Sequence, residues 1–297
     1  MFEKMKPPFS YYGGKQRMVS ELIPLIPKHT VYAESFGGSG ALLFAKPWPR
    51  VTSTSHYHEY WNDGNELVYN FFYQLRNNGD KLCELIALTP YSETEYEIAK
   101  DFTDCDDLEK ARRFFVNIMQ SFAKKLNGGW GRSVYSRNVA ATWQNKINLT
   151  HYLERIMSIS FSCSDALKFI DQFDSPQTCF YVDPPYPNTE QGHYSGYTAE
   201  DFDKLVGKLK TIQGSFLLSC YGNDECDQLF ERFEFEAHCS ASGENKVGND
   251  RSKESMSNTN KKRTEVVYRK FSVEPRSEIK KLYASSAFDC FVKHPWE

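Results

Sequence analysis

The tetrapeptide Asp183-Pro184-Pro185-Tyr186 places a carboxylate, a rigid backbone and an aromatic ring side by side. The amine of a nucleobase is a poor nucleophile because its lone pair is delocalised into the ring. The Asp183 carboxylate and the Pro184 carbonyl can each accept one amine hydrogen, which directs the lone pair towards an electrophilic methyl group. Two prolines restrict the backbone, and Tyr186 can stack on a base flipped out of a duplex. The tetrapeptide therefore predicts methylation of a nucleobase amine, with a structural Pro-Pro turn as the alternative.

The residues before the tetrapeptide predict where it lies in the fold. Residues 178–182 form a continuous run of the side chains that fill buried strands. The tetrapeptide would then follow the carboxyl end of a strand, which is the edge at which open α/β sheets bind ligands.

A second candidate site is the glycine-rich segment from Glu34 to Gly40, which includes Phe36 and Gly38. It follows a predicted strand at 30–33 and precedes a predicted helix at 41–45, an order typical of the start of a βαβ unit. Small residues there would let the backbone approach a nucleotide closely. The segment matches neither the dinucleotide fingerprint nor the phosphate loop, so a tight structural turn is the alternative.

Asp63 lies at the end of the next predicted strand, residues 51–60. An acidic residue at this position can accept hydrogen bonds from ribose hydroxyls, or it can cap the helix predicted at 66–76. Together with the glycine turn, Asp63 indicates a cofactor that contains adenosine.

The rest of the chain predicts an alternating α/β pattern with one interruption. Further helices are predicted at 15–26 and 199–209, and further strands at 156–161, 215–219 and 265–271. Residues 240–264 contain few apolar side chains, which predicts a flexible loop. Residues 77–155 differ, because apolar side chains from Leu108 to Leu126 recur at steps of three and four, as on one face of an amphipathic helix. We interpret 77–155 as an inserted, mostly helical subdomain.

The net charge of −3 does not favour a nucleic-acid-binding protein, but phosphate binding requires a basic patch rather than a basic average. Candidate DNA-binding residues are Lys124, Lys125, Trp130, Arg132, Arg137, Lys261, Lys262 and Arg263. The alternative is that these charges belong to an ordinary solvated surface.

The eight cysteines include no Cys-x-x-Cys pair and no histidine at metal-ligand spacing, so we expect no metal site. No apolar run reaches the roughly 20 residues that span a bilayer, and residues 1–8 lack the apolar region of a signal peptide. We therefore expect a cytoplasmic protein, with no membrane partner.

These motifs together resemble the Dam-type (D12 class) family of adenine-specific DNA methyltransferases. Ser10-Tyr11-Tyr12-Gly13-Gly14-Lys15 is similar to the N-terminal cofactor motif of that family, and the segment from Glu34 to Gly40 is similar to its cofactor loop, although Ser35 replaces the usual proline. Asn62-Asp63-Gly64-Asn65 and Ser164-Asp165-Ala166 resemble two further cofactor elements. The resemblance implies S-adenosylmethionine as cofactor, held by Tyr11, Lys15, Glu34, Phe36, Gly38, Gly40, Asp63 and Asp165.

The resemblance also implies the architecture and the partners. The fold would be a Rossmann-like class I methyltransferase sheet formed by residues 1–76 and 156–297, with 77–155 as the target recognition domain. Double-stranded DNA would be the substrate, methylated on adenine N6 in a bacterial or phage-infected cell. We expect a monomer and leave open a restriction endonuclease as partner. We could not match 77–155 to the hairpin with which GATC-specific members read their site, so the target sequence stays open.

Several other functions are compatible with parts of the pattern. Methylation of the cytosine N4 amine uses the same geometry but more often has Ser at the position of Asp183. Cytosine C5 methylation needs a cysteine nucleophile, and the chain contains no Pro-Cys pair. Methylation of an RNA amine, a catalytically inactive DNA- or cofactor-binding module and a nucleotide-binding oxidoreductase are the remaining alternatives.

Overall fold

The structure is a computed structural model that describes residues 5–11, 13–48, 56–133, 138–186, 196–238 and 262–272. In these residues the chain forms one seven-stranded sheet in the order β3-β2-β1-β4-β5-β7-β6. The strands are β1 Val31–Glu34, β2 His58–Asn62, β3 Ile159–Ser162, β4 Thr178–Val182, β5 Ser215–Cys220, β6 Glu231–His238 and β7 Lys262–Lys270. The first five strands pair in parallel, and β7 pairs antiparallel with both β5 and β6.

The helices lie between these strands. They are α1 Val19–Leu22, α2 Ala41–Ala45, α3 Glu66–Asn77, α4 Gly79–Leu88, α5 Glu93–Ile98, α6 Asp107–Gln120, α7 Val139–Gln144, α8 Leu153–Ile156, α9 Ala166–Phe173, α10 Ala199–Thr211 and α11 Asp224–Leu229. The prediction of a Rossmann-like α/β fold is confirmed. In the described part of the chain, no helix is both long and apolar enough to cross a bilayer.

Several element boundaries differ from the sequence predictions. The predicted strand at 51–60 is observed as His58–Asn62, with residues 51–55 outside the described part. The predicted helix at 15–26 consists of a 3-10 turn at Lys15–Arg17, the short α1 and a second 3-10 turn at Ile23–Leu25. Pro24 lies in that last turn, where its missing N–H and its ring disfavour continuation of an α-helix.

The C-terminal part of the sheet shows two further differences. Residues 262–264, predicted as loop, belong to β7 because they pair with residues 236–238 of β6. The rest of the predicted loop, residues 240–261, lies outside the described residues. Strand β6 was missed, although Phe233 and Phe235 alternate with charged residues, a pattern typical of a strand with one solvated face.

The helices between α3 and β3 pack onto the seven-stranded sheet through α3. The ring of Phe115 on α6 stacks on Phe71 of α3 at 5.7 Å between centroids, and Phe9 contacts both Phe71 and Phe114. Helix α6 ends at Gln120 rather than at residue 126, because Ser121 is extended and forms an antiparallel bridge with Trp130. Phe122 therefore leaves the helix and is 60% exposed.

Candidate active site

Two adjacent strands in the middle of the sheet bring the main sequence motifs together. Strands β1 and β4 are parallel neighbours, with Glu34 in register with Tyr181. The glycine loop that follows β1 and the tetrapeptide that follows β4 therefore leave the sheet side by side. They line one cleft of ≈ 540 Å³, part of which is open to solvent, and the N-terminal motif forms another part of its wall.

The glycine loop has a backbone shape that requires glycine at specific positions. Gly38 and Gly40 have φ angles of +50° and +70°, in the left-handed region that other residues rarely adopt. Gly37 is needed for space, because a Cβ there would lie 2.0 Å from Nε1 of Trp61. At Gly37 and Gly38 the loop therefore presents backbone to the cleft, between the side chains of Phe36 and Ser39.

Asp63, which directly follows β2, stabilises the glycine loop. Its carboxylate accepts hydrogen bonds from the backbone N–H of Gly38 and of Asn65, both at 2.8 Å. Asn65, rather than Asp63, caps α3 by accepting from the N–H of Leu67 at 3.0 Å. Asp63 is 1% exposed and connects the end of β2 to the glycine loop after β1.

The remaining predicted cofactor residues lie at different distances from the cleft. Tyr11, Lys15, Glu34 and Phe36 line it together with the glycine loop. Burial raises the pKa of Glu34 to about 8, and Tyr32 donates a hydrogen bond to its carboxylate at 2.9 Å. Asp165 lies outside the lining of the cleft, where its exposed carboxylate caps α9 by accepting from Lys168 N at 3.0 Å.

The tetrapeptide belongs to a buried cluster of charged side chains. Lys15 Nζ lies 2.8 Å from Asp183 Oδ1, 2.9 Å from the Tyr186 hydroxyl and 3.3 Å from Glu265 Oε1. The Tyr186 hydroxyl donates a hydrogen bond to Glu265, as does the hydroxyl of Ser219 at 2.9 Å. We call Lys15, Asp183, Tyr186 and Glu265 the catalytic cluster.

The sequence did not indicate Glu265 as part of the site. Glu265 lies in β7, far from the tetrapeptide along the chain, and it enters the site only because β7 pairs with β5. One signal was available, since Glu265 directly precedes the apolar run Val266-Val267-Tyr268 and is 7% exposed in the folded chain. A carboxylate in a strand of this kind requires polar partners.

The electrostatics of the cluster follow from burial and from an excess of carboxylate. Burial raises the pKa of Asp183 to about 6, with Lys15 lowering and Glu265 raising that value. Burial alone would lower the pKa of the Lys15 ammonium, but the charges of Asp183 and Glu265 raise it above its usual range. Burial and the same two carboxylates raise the pKa of Tyr186 well above its ordinary value. At neutral pH, Asp183 is therefore largely ionised, Lys15 is charged and Tyr186 is a hydrogen-bond donor.

Aromatic side chains form the sides of the cleft region. The ring of Tyr186 stacks on Tyr221, which follows β5, at 4.3 Å between centroids and 30° between planes. Phe36 meets Tyr197 edge to face at 6.1 Å. Among the described residues, no group of three or more His, Cys, Asp or Glu side chains could hold a metal ion.

The predicted DNA-binding residues divide into several positions. Lys124 is half-buried, and its ammonium donates to the Met119 carbonyl at the end of α6. Trp130 packs on Tyr91 at 5.5 Å, and Arg132 is exposed. Lys125 is half-buried, Lys262 and Arg263 lie in β7, and Arg137 and Lys261 lie outside the described residues.

Hydrogen bonds to Gln120 at the end of α6 and to Tyr96 of α5 hold the glycine-rich loop after α6, residues 121–133. The N–H of Gly131 donates to the Gln120 carbonyl at 2.8 Å, and the Tyr96 hydroxyl donates to the Gly128 carbonyl at 2.6 Å. The N-terminal motif is adjacent, since the N–H of Ser10 contacts Met119 Sδ at 3.5 Å. The loop therefore begins next to the wall of the cleft.

Comparison with known proteins supports the assignment made from these motifs. Residues 11–235 match the model of the D12 class N6 adenine-specific DNA methyltransferase family. The chain is 21% identical over 237 residues to Modification methylase LlaI from Lactococcus lactis subsp. lactis, a match that covers 73% of this chain and 37% of that protein. It is 24% identical over 216 residues to Type II methyltransferase M1.LlaDCHI from Lactococcus lactis subsp. cremoris, covering 67% of this chain and 72% of that protein.

The two relatives differ in how much of their length this chain spans. It spans about a third of the length of Modification methylase LlaI (37%) and about three quarters of the second relative (72%). The family match, by contrast, covers most of this chain and includes the N-terminal motif, the glycine loop and the tetrapeptide. The chain therefore belongs to the D12 class of N6 adenine-specific DNA methyltransferases.

Proposed function

We propose that the protein transfers the methyl group of S-adenosylmethionine to the N6 amine of adenine in double-stranded DNA. The observation that carries this proposal is the convergence of the tetrapeptide, the glycine loop and Lys15 on one cleft. An ionised carboxylate, a stacked aromatic ring and a loop of exposed backbone then lie within reach of a single bound nucleotide. This combination fits the methylation of a nucleobase amine beside an adenosine-containing cofactor.

The residues of the cleft fit S-adenosylmethionine. Gly38 leaves close backbone access, since a Cβ at this position would lie 3.3 Å from the ring of Tyr11. Asp63 fixes the glycine loop from the side of β2, which keeps the loop backbone in place for the cofactor. When bound, S-adenosylmethionine supplies a methyl group on a positively charged sulfur. We assign Tyr11, Lys15, Glu34, Phe36, Gly38, Gly40 and Asp63 to its binding, and a role for Asp165 stays a prediction.

The tetrapeptide would orient the substrate amine. The Asp183 carboxylate accepts one hydrogen of the adenine amine, and the Pro184 carbonyl accepts the other. The nitrogen would then take the methyl group from the sulfonium, and the electron pair of the broken carbon–sulfur bond would stay on sulfur. The proton released from the amine passes to Asp183 or to water. Flipping the base out of the duplex costs a few kcal/mol, which stacking on Tyr186 would partly offset.

The helical segment 77–155 is proposed to recognise the DNA, with the glycine-rich loop after α6 closest to the cleft. Lys124, Lys125 and Arg132 would contact phosphates, with Trp130 as an aromatic platform. Arg137 and the basic run Lys261-Lys262-Arg263 are proposed as further DNA-binding residues. Contacts of this kind fix the register of the protein on DNA, while contacts to base edges determine the target sequence.

The biological role is proposed from the named relatives, which are a modification methylase and a type II methyltransferase. Site-specific methylation by this protein would protect DNA from a cognate endonuclease, and we propose that the enzyme acts as a monomer.

The experiment that tests the function is transfer of labelled methyl groups. Purified protein is incubated with methyl-labelled S-adenosylmethionine and DNA from a methylation-free host, and the digested nucleosides are separated. We expect the label in N6-methyldeoxyadenosine, and single-molecule sequencing of the same DNA maps the target site. Label in N4-methyldeoxycytidine or only in RNA would contradict the proposal, and cofactor binding without any transfer would indicate an inactive module.

A further inference from the structure

Glu265 is a buried carboxylate whose described contacts lie at the proposed active site. It is 7% exposed, and an unpaired carboxylate at such a position would be strongly unfavourable. Its partners are the Lys15 ammonium at 3.3 Å, the Tyr186 hydroxyl and the Ser219 hydroxyl at 2.9 Å. Two of these three groups, Lys15 and Tyr186, line the cleft.

The sheet does not depend on this carboxylate. Strand β7 is held by backbone pairing to β5 on one side and to β6 on the other. Phe235 is the residue of β6 in register with Glu265, and it offers no charge. A purely structural role would be filled equally well by an apolar side chain, so the contacts of Glu265 point to the cleft instead.

The Lys15 ammonium and the substrate amine would draw on the same carboxylate, and Glu265 offers Lys15 a second anion. An ammonium has three N–H donors, and in the structure one of them is directed at Asp183 Oδ1 at 2.8 Å. The substrate amine needs lone pairs of the same Asp183 carboxylate. If Lys15 moved off Asp183 without another anion nearby, a cation that is 7% exposed would lose its ion pair.

We infer that Glu265 is a positioning residue for methyl transfer, which retains the Lys15 ammonium and the Tyr186 hydroxyl while Asp183 turns to the substrate amine. This inference rests on the proposed function, because it assigns Asp183 to the amine. Lys15 would shift its ion pair from Asp183 to Glu265 when the base enters. The Tyr186 ring would stay in place because its hydroxyl remains bound to Glu265.

The test compares variants that separate charge from shape. Glu265→Gln keeps the size of the side chain but removes the charge, and Glu265→Asp keeps the charge but shortens the reach. Ser219→Ala removes one neutral hydrogen bond to Glu265. The matched control is Glu234→Gln, the same chemical change at an exposed position of the neighbouring strand β6, where Glu234 pairs with Arg232.

We expect Glu265→Gln to lower the single-turnover rate of methyl transfer about 10- to 100-fold, the size of effect that a misplaced catalytic group produces. The affinity for S-adenosylmethionine should stay unchanged, so the loss appears in kcat rather than in KM. Glu265→Asp should recover most of the rate, Ser219→Ala should reduce it only slightly, and Glu234→Gln should match the wild-type protein.

A second readout reports on charge rather than on activity. The titratable or charged groups that face Asp183 are Lys15, Tyr181, Tyr186, Cys220 and Glu265. The negative charge of Glu265 disfavours ionisation of Asp183, so its removal in Glu265→Gln should lower the pKa of Asp183. The acid limb of the rate profile should therefore move to lower pH in Glu265→Gln and stay in place in Glu265→Asp. Carboxyl carbon NMR of Asp183 should show the same shift in protein free of DNA.

The outcomes distinguish failure of the inference from failure of the function. A Glu265→Gln protein with the wild-type rate and pH profile overturns the inference while leaving the methyltransferase activity intact. A wild-type protein that transfers nothing to adenine overturns the function, and an unshifted Asp183 titration in Glu265→Gln then also overturns the inference. If Glu265→Gln does not fold, the rate and pH profile of Glu265→Asp decide, and a loss of rate equal to that of Asp183→Ala would contradict a positioning role.

Discussion

Among the described residues, two buried clusters of charge, one beside the cleft and one at β2, have opposite composition. In the first, the Glu59 carboxylate on β2 pairs with Lys46 and lies 2.6 Å from Nη1 of Arg155 on α8, so two cations surround one anion. In the second, the catalytic cluster, Lys15 lies between Asp183 and Glu265, so one cation is shared by two anions. We call the first group, Lys46, Glu59 and Arg155, the structural cluster.

The difference in composition leads to a difference in how firmly each carboxylate is held. Burial alone would raise the pKa of Glu59, but Lys46 and Arg155 lower it, so Glu59 stays ionised between two cations. Burial raises the pKa of Asp183 to about 6, and its one cation is shared with Glu265. A carboxylate with two cations beside it is held in place. Two carboxylates that share one cation leave one carboxylate available for a substrate.

The largest effect is expected from removing the Asp183 carboxylate, which is the one available for a substrate. Asp183→Ala should lower the rate of methyl transfer by about 10²- to 10⁴-fold, the range typical of losing a positioned acid–base group. Binding of S-adenosylmethionine, measured by calorimetry, should survive because the glycine loop is untouched. Asp183→Asn keeps the shape without the charge and should be similarly slow. A variant with near-normal turnover would show that Asp183 does not orient the amine.

The structural cluster should respond in stability rather than in chemistry. Arg155 is 1% exposed and also donates a hydrogen bond to the Leu43 carbonyl at 3.1 Å. It therefore links α8 to both β2 and α2. Arg155→Met should lower the free energy of unfolding by about 3 kcal/mol, the lower end of the cost of breaking a buried pair, since Lys46 still partners Glu59. Urea unfolding measures this loss.

The matched control for that change is Arg155→Lys. It keeps a positive charge beside Glu59 and should recover part of the lost stability. The folded fraction of each variant should methylate DNA at the wild-type rate. A large fall in kcat without a fall in stability would contradict the separation of the two clusters.

The available carboxylate should also set the acid limit of activity. In the proposed mechanism Asp183 accepts an amine hydrogen only when ionised, and its pKa is raised to about 6. The kcat/KM value, which reports on the free enzyme, should therefore fall as the pH decreases through about 6. Glu34, whose pKa is raised to about 8 by burial, is the other cleft carboxylate that could cause a pH dependence. A Glu34→Gln protein should keep the acid limb, and loss of the limb in that variant would reassign it.

The sequence predicted what is local in the fold and missed what depends on pairing between distant segments. Strand β4 and helix α2 were predicted at their observed bounds, because buried apolar runs and helix-stop signals are read over a few residues. Glu265 joins Asp183 only through the antiparallel insertion of β7 between β5 and β6. Nothing near either residue in the chain encodes that neighbour relation.

Pairing between distant segments also explains why neither the end of α6 nor the pKa of Asp183 could be predicted from the sequence. The apolar spacing of α6 continues to Leu126, but the bridge between Ser121 and Trp130 competes with the helix and ends it at Gln120. The tetrapeptide predicted the chemistry of Asp183 from its residue types. Its raised pKa could not be predicted, since that depends on Lys15 and Glu265 approaching from two other parts of the chain.

The smallest effect is expected outside both clusters, on the loop after α6. Arg132 is exposed, so a phosphate contact there would act through screened electrostatics rather than through a buried pair. Arg132→Ala should weaken DNA binding modestly and lower the slope of log affinity against log salt by about 1. The rate at saturating DNA should stay unchanged, because the catalytic cluster is intact. Lys204→Ala, at an exposed lysine of α10 paired with Glu200, is the control for loss of a surface cation. An equal salt slope in both variants would mean that Arg132 is ordinary surface and that the DNA is read elsewhere in residues 77–155.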